Sequence, residues 1–229
     1  MATTPLLALL ALFATVAAAV QRRRTHRRPP PRARIADLRD RTTFGDDGAV
    51  RSIQTADLTM PVDALEALWS PMQLERLART YWRYLTHVTG GLIRVDYGTE
   101  QRTVVLLRQP MRLLRFKAPE YEMDAQRGLV RWRIDDGLLV EQRGHHGDGY
   151  LQIVVERRPS PEPGMGVAHV EVEVANFYPS IARRLSTPVY RGTQSRIHVL
   201  VTHGFLRSLA RLDLAESRVG RYAAPPTQP

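Results

Sequence analysis

The chain contains no cysteine, which excludes disulfides, thiolate metal sites and cysteine nucleophiles together and fits a reducing compartment. It has no G-x-S-x-G, no G-x-x-x-x-G-K-[ST] and no H-E-x-x-H, and its "GMGVAH" is not a dinucleotide fingerprint. The serine-hydrolase elbow, the phosphate-cradling P-loop and the zincin helix are therefore missing. No acidic residue occurs before residue 35, and lysine appears once, at Lys117. What is present is a chain of 229 residues, 43% hydrophobic and 24% charged, the profile of a globular protein. That length suffices for one domain of ordinary size plus appendages.

The net charge of +10 resembles a nucleic-acid signature until it is divided by region. Seven arginines fall in residues 22–34, which leaves 26 bases against 23 acids from residue 35 onward. The body of the protein is nearly balanced, and the excess is local.

That excess follows an uncharged run, "PLLALLALFATVAAAV" at residues 5–20. With its uncharged flanks the run reaches about 20 residues, enough to span a bilayer as a helix. One alternative is a cleaved signal peptide with Ala17-Ala18-Ala19 as its small-residue site, but "MATT" lacks the basic region that precedes such runs. Positive charge sits on the C-terminal side instead, and basic flanks stay cytoplasmic. Juxtamembrane arginines also gain about 1 kcal/mol each near anionic headgroups, and Pro29–Pro31 stiffen the exit. A nucleic-acid arm is the other alternative; the adjoining apolar run argues against it. The expectation is an anchor over residues 1–21 with its N-terminus outside, a basic Pro-rich linker over 22–48, and a domain in the cytoplasm.

Residues 35–48 read as a polar linker ending in a Gly-rich turn. A strand is expected at 50–59, then a short helix capped by Asp63 and running through Trp69. Ser70-Pro71 opens a second helix. Leu74, Leu77, Ala78, Tyr81, Leu85 and Val88 hold its apolar stripe, and Gly90-Gly91 end it. From Leu92 to Ala175 the period changes to two. "LIRVDYG", "RTVVLLR", "MRLLRFKAP", "LVRWRID", "GLLVEQ", "YLQIVVERR" and "VAHVEVEVANF" read as antiparallel strands with one wet and one dry face. A long amphipathic helix is expected over 190–215, with His198, Thr202, Phe205, Leu209 and Leu212 in one row. Residues 215–229 read as a disordered tail.

The order of strand, two short helices, six or seven antiparallel strands and a long closing helix resembles the helix-grip fold of the START/Bet v 1-like (SRPBCC) superfamily. "TADLTMPVDALEALWSPMQLERL" resembles its opening strand and Pro-started helix pair with a buried Trp, and "VANFYPSI" its closing strand. The resemblance covers roughly residues 50–213. It implies an α+β domain over 49–214, whose curved sheet wraps the last helix around a cavity for a lipid, sterol, polyketide or similar ligand.

Two clusters invite chemistry. "GHHGDG" offers His145, His146 and Asp148 as metal ligands, yet a third distant ligand would be needed and a solvated hairpin explains the same residues. His198 and Thr202 lie on the apolar row of the last helix. The plain reading is a core histidine hydrogen-bonded to a tyrosine or the backbone. The sharper one is a polar contact for a ligand in a pocket lined by Trp132, Tyr150 and Phe205, and such pockets need a void of several hundred Å3. The resulting expectation is membrane-anchored binding of a hydrophobic small molecule or lipid, without cofactor, metal or nucleic acid. A cyclase- or dehydratase-like enzyme with His198 as acid or base, and a non-enzymatic membrane-bound scaffold with a filled core, are the alternatives.

Overall fold

Alternation of period two produces the sheet, and its phase decides which residues enter the core. In the computed structural model, which describes residues 32–46, 49–88, 91, 93–97, 101–106, 112–137, 149–177, 202–212 and 214–216, nine strands and two helices precede a closing helix. In order they are β1 (Arg34–Phe44), β2 (Val50–Pro61), α1 (Val62–Ala67), α2 (Pro71–Val88), β3 (Ile93–Tyr97), β4 (Gln101–Leu106), β5 (Arg112–Lys117), β6 (Glu120–Met123), β7 (Arg127–Asp136), β8 (Tyr150–Pro159) and β9 (Met165–Phe177). The closing helix, α3, is helical over 202–209. The sheet is antiparallel throughout, in the order β1-β2-β9-β8-β7-β5-β4-β3, with β6 paired to β7. The architecture is α+β. Because α2 packs on both β7 in mid-sheet and β3 at one edge, the sheet curls around it.

The inward residues are those the alternation picks out. Val130, Trp132 and Ile134 of β7 are buried in the core, as are Leu151 and Ile153 of β8 and Ala168, Val170 and Val172 of β9. The second helix begins where expected: Ser70 Oγ accepts from the Gln73 N–H at 3.3 Å, and Pro71 occupies the first turn. It buries Leu74, Leu77, Ala78, Tyr81 and also Trp82. Gly91, at φ +84°, closes the exit by donating to the Thr86 carbonyl at 2.9 Å.

Several expectations need correction. Residues 34–44 are a strand and not a linker. Ile35 and Leu38 both pack on the core although they are three apart. A regular strand would put them on opposite faces, and a bulge between Ala36 and Arg39, with Asp37 at φ +47°, reconciles them. The charges of "DLRDR" that suggest a linker belong to an edge strand, where exposed charge blocks further pairing. A short strand, β6, was not expected either; with β1 it brings the sheet to nine strands among the described residues, where about six or seven were expected. Asp63 does not precede α1 but lies in its first turn, where it accepts from Ala64 N–H at 2.9 Å, and the helix ends at Ala67 before reaching Trp69.

The closing helix also stops early. It ends at 209, and Leu212 adopts φ +56°. The Ala210 carbonyl is taken up by the N–H groups of Arg32 and Ala33, each at 2.8 Å. Beyond it the chain is strapped to α2. Arg76 donates to the carbonyls of Ala215 (2.9 Å) and Leu214 (3.2 Å), and Thr80 Oγ1 accepts from Ala215 N–H at 2.8 Å. Ala215 is consequently buried rather than the start of a free tail. Residues 138–142 of the "GLLVEQ" run, residues 190–201 and the anchor of residues 1–21 lie outside the described residues. No helix among the described residues is long and apolar enough to cross a membrane.

Candidate functional site

The inner face of the sheet meets α2 and α3 through aromatic rings. Tyr81 packs edge-on against Trp82 (centroids 5.1 Å apart) and Phe205 (5.2 Å), while Trp82 packs against Trp132 (5.2 Å) and Phe116 (5.4 Å). Edge-to-face pairs of this kind add about 0.5–1.5 kcal/mol each beyond the area they bury. Trp132 retains 1% of its surface, and Phe205 and Thr202 retain none. These three expected ligand contacts are buried and gathered beside α2. Burial raises the Tyr81 phenol well above its ordinary range; the neighbouring Thr202 hydroxyl partly offsets this, although the pair is off full hydrogen-bond geometry.

Tyr150 sits on the opposite face. Leu151, not Tyr150, pairs with Trp132 in the register of β7 and β8, so Tyr150 points outward under the Arg131 guanidinium, 5.2 Å from its ring. Its phenol is raised by burial first and by the Glu173 carboxylate second. The structure thus brings Trp132, Thr202 and Phe205 together and separates Tyr150 from them. His198, His145, His146 and Asp148 lie outside the described residues. Among the described residues no group of three His, Asp or Glu side chains could hold a metal ion.

Tyr150 belongs to a polar ladder that sequence reasoning missed. Glu173, Gln152, Arg131 and Glu120 face one another across β9, β8, β7 and β6. Glu173 accepts from Arg51 Nε at 2.7 Å and from Gln152 Nε2 at 2.6 Å, and Gln152 Oε1 accepts from Arg131 at 3.0 and 3.1 Å. Glu120 continues the row to Arg133 at 2.6 Å. Glu173 keeps only 3% of its side-chain surface. Because its members bond to one another across neighbouring strands, the ladder ties those strands together. The signal for it was the matched phase of "EVE", "LQI" and "VRW", legible only once the strand order is known.

The described residues border a recess at one end of the inner face. This recess of about 70 Å3, open on one side, is bordered by the sheet, α1, α2 and the end of α3. Its floor is made by the close of β2 (Leu58, Met60) and the start of β9 (Ala168, Val170); Leu65, Leu74 and Leu77 wall one side, and Leu209, Leu212 and Leu214 the other. Gly128 and Ala168 open it, since a larger side chain on the sheet there would fill the space under the leucines. A methyl group at Gly128 would touch both Leu74 methyls at 3.5 Å. The polar groups of the lining are engaged elsewhere. Trp69 Nε1 donates to the Asp124 carbonyl at 2.9 Å, its ring lies 4.7 Å beneath the Arg157 guanidinium, and Gln73 Oε1 accepts from Arg76 at 3.1 Å. Trp69 is half-buried at the edge of this recess rather than the buried Trp expected of it. The volume is about that of two waters in the liquid, well below the roughly 300–1,000 Å3 of drug-sized ligand sites. It accommodates one apolar group, such as a branched side chain or the end of an alkyl chain.

No family model matches the chain, and no curated protein matches it. Among solved structures it is similar to CalU16 from Micromonospora echinospora, at 11% identity over 77% of this chain and 84% of that one, with a TM-score of 0.27. It is also similar to an uncharacterized protein from Rhizobium leguminosarum, at 16% identity over 69% of this chain and 98% of that one, with a TM-score of 0.25. Likeness at that level carries no inference about fold or function.

Proposed function

We propose that the chain is a non-enzymatic module of helix-grip type, held at the cytoplasmic face of a membrane by residues 1–21 and Arg22–Arg34, that binds an apolar group in the recess at the α1–α2 end of its sheet. The START/Bet v 1-like reading is supported by the topology. A first core strand, β2, leads through two helices into consecutive antiparallel strands, and β9 returns to pair with β2 before α3 crosses the inner face. The anchor rests on the sequence pattern alone.

One observation carries the binding reading: the recess walls are hydrocarbon, and the polar groups beside them are turned to other partners. Walls of this kind offer water no hydrogen-bond partner and favour apolar guests. The recess is taken as the binding place here because its lining is described and apolar, whereas Trp132, Thr202 and Phe205 are buried side chains outside that lining.

The six methionines supply the assay. Met60 and Met123 line the recess, whereas Met165 does not. In the full chain carrying 13C-methyl methionine in lipid nanodiscs, xenon should shift the Met60 and Met123 signals and leave Met165 in place. Ala168→Leu, which fills the floor, should remove the response. Unmoved Met60 and Met123 signals in the native chain would end the reading.

A further inference from the structure

The recess shares its end of the molecule with the point where the chain enters the fold. Arg32 and Ala33 are fixed by hydrogen bonds to the Ala210 carbonyl, and Leu209 and Leu212 on either side of Ala210 line the recess. Arg34 then pairs with Thr59, beside the Met60 floor. The uncharged run ends near Gln21, only eleven residues before Arg32. Eleven residues reach at most about 40 Å fully extended, so this end is the one that a membrane-held N-terminus keeps closest to the bilayer.

A second observation falls at the same end. Val62 and Met72, each 41% exposed, are the exposed large apolar side chains among the described residues. Val62 opens α1 and lies beside Gly166 with Leu65, and Met72 precedes Gln73 in the first turn of α2. The two helices that wall the recess thus also carry the apolar side chains left in water. Arg32 adds an exposed guanidinium, suited to anionic headgroups.

We infer that this end of the domain is a membrane-docking surface, on which Val62 and Met72 enter the bilayer interface and the recess takes the end of a lipid acyl chain. The inference rests on the proposed recess binding and names its occupant. The chemistry that recognises the occupant is hydrocarbon against hydrocarbon, so selectivity comes from the size of the recess and not from a headgroup. Docking through α1 and α2 leaves the polar outer face of the sheet, with its Glu173 ladder, away from the recess and available to the aqueous side.

The absence of cysteine makes the test clean, because one introduced thiol is the only one in the chain. Full-length V62C, M72C and T43C variants would each be labelled with an environment-sensitive fluorophore and reconstituted in phosphatidylcholine vesicles containing doxyl-labelled lipid. Thr43 is exposed and pairs with Arg51, eight positions along β2 from Thr59, or about 26 Å toward the far end. Docking predicts several-fold stronger quenching at 62 and 72 than at 43. Equal quenching at all three positions, or none at 62 and 72, overturns it. The xenon experiment separates the two claims. A xenon response without doxyl quenching leaves the recess reading standing and removes the membrane as its source. Quenching without a xenon response keeps the docking surface and removes the acyl chain. If residues 5–20 of the chain itself filled the recess, xenon would find no room and the labels would report no lipid, which sinks the inference.

Discussion

Gly204 is the sharpest test of how α3 sits on α2. An alanine there would place its methyl carbon 2.0 Å from Tyr84 Oη, 2.9 Å from Cζ and 3.3 Å from Cε1. Heavy atoms rest comfortably at about 3.5 Å or more, so the whole end of the ring must retreat by more than an ångström. Its retreat is limited on one side by Phe205, whose ring centroid is 6.4 Å away and which retains no surface of its own. Two effects then compete. Replacing glycine inside a helix gains about 1 kcal/mol from propensity, and overpacking costs about 1–3 kcal/mol. With an overlap this large the second wins, and Gly204→Ala should lose about 1–2 kcal/mol. For a domain of this size that lowers the thermal midpoint by about 3–6 °C.

The sign should reverse when the obstacle is removed. In a Tyr84→Leu background the same Gly204→Ala change should stabilise by up to about 1 kcal/mol, whatever the leucine substitution itself costs. The double-mutant cycle isolates the contact from both single effects. Circular dichroism during thermal and urea unfolding of the four full-length proteins reads all the terms. If Gly204→Ala stabilises the native background, helix propensity is the dominant effect, and the close approach of α3 to Tyr84 is refuted.

Two further outcomes follow from the outer face. Glu173→Ala strands the Gln152 amide and should cost about 2–3 kcal/mol, whereas Arg51→Ala, whose side chain is 59% exposed and solvated by water, should cost less than 1 kcal/mol; equal shifts in urea midpoint would contradict the asymmetry. Glu171 is held above its ordinary 4.5 by burial first and by the Glu173 carboxylate second, so its stabilising contribution is complete below 4.5 and is lost as pH rises through the raised value. Glu171→Gln should therefore stabilise at neutral pH with a gain that vanishes in acid, and a gain independent of pH would refute this origin.

The fold was legible where pattern and phase are local. Ser70-Pro71, the α2 stripe and the alternations of β7, β8 and β9 each specify an element from a few adjacent residues. What escaped depends on distant partners. The edge strand β1 hides because its core contacts, Ile35 and Leu38, fall out of phase until the bulge at Asp37 shifts them. The end of α3 hides because no glycine or proline marks it. It stops where the Ala210 carbonyl meets Arg32 and Ala33, some 180 positions earlier in the chain. Tyr150 is placed by phase and not by its ring: in "YLQIVVE" the apolar set Leu151, Ile153 and Val155 fixes the inward face and leaves Tyr150 outside.

The candidate site shows why inward-facing rings alone do not predict a cavity. Periodicity says that a side chain points inward, and it says the same for one that lines a void and one that fills it. The difference lies in the volumes that oppose each other. In the middle of the inner face Trp132 and Phe116 from the sheet meet Trp82 and Tyr81 from α2 and Phe205 from α3, so large rings oppose one another there. Toward the α1 end, small residues, Gly128 and Ala168 on the sheet, share the recess with Leu65, Leu74 and Leu209. The recess is thus a consequence of two small residues at inward positions of long strands, where β-propensity would favour larger ones. Small residues placed there weaken the sheet locally, and the space they leave is what the proposed acyl chain would occupy.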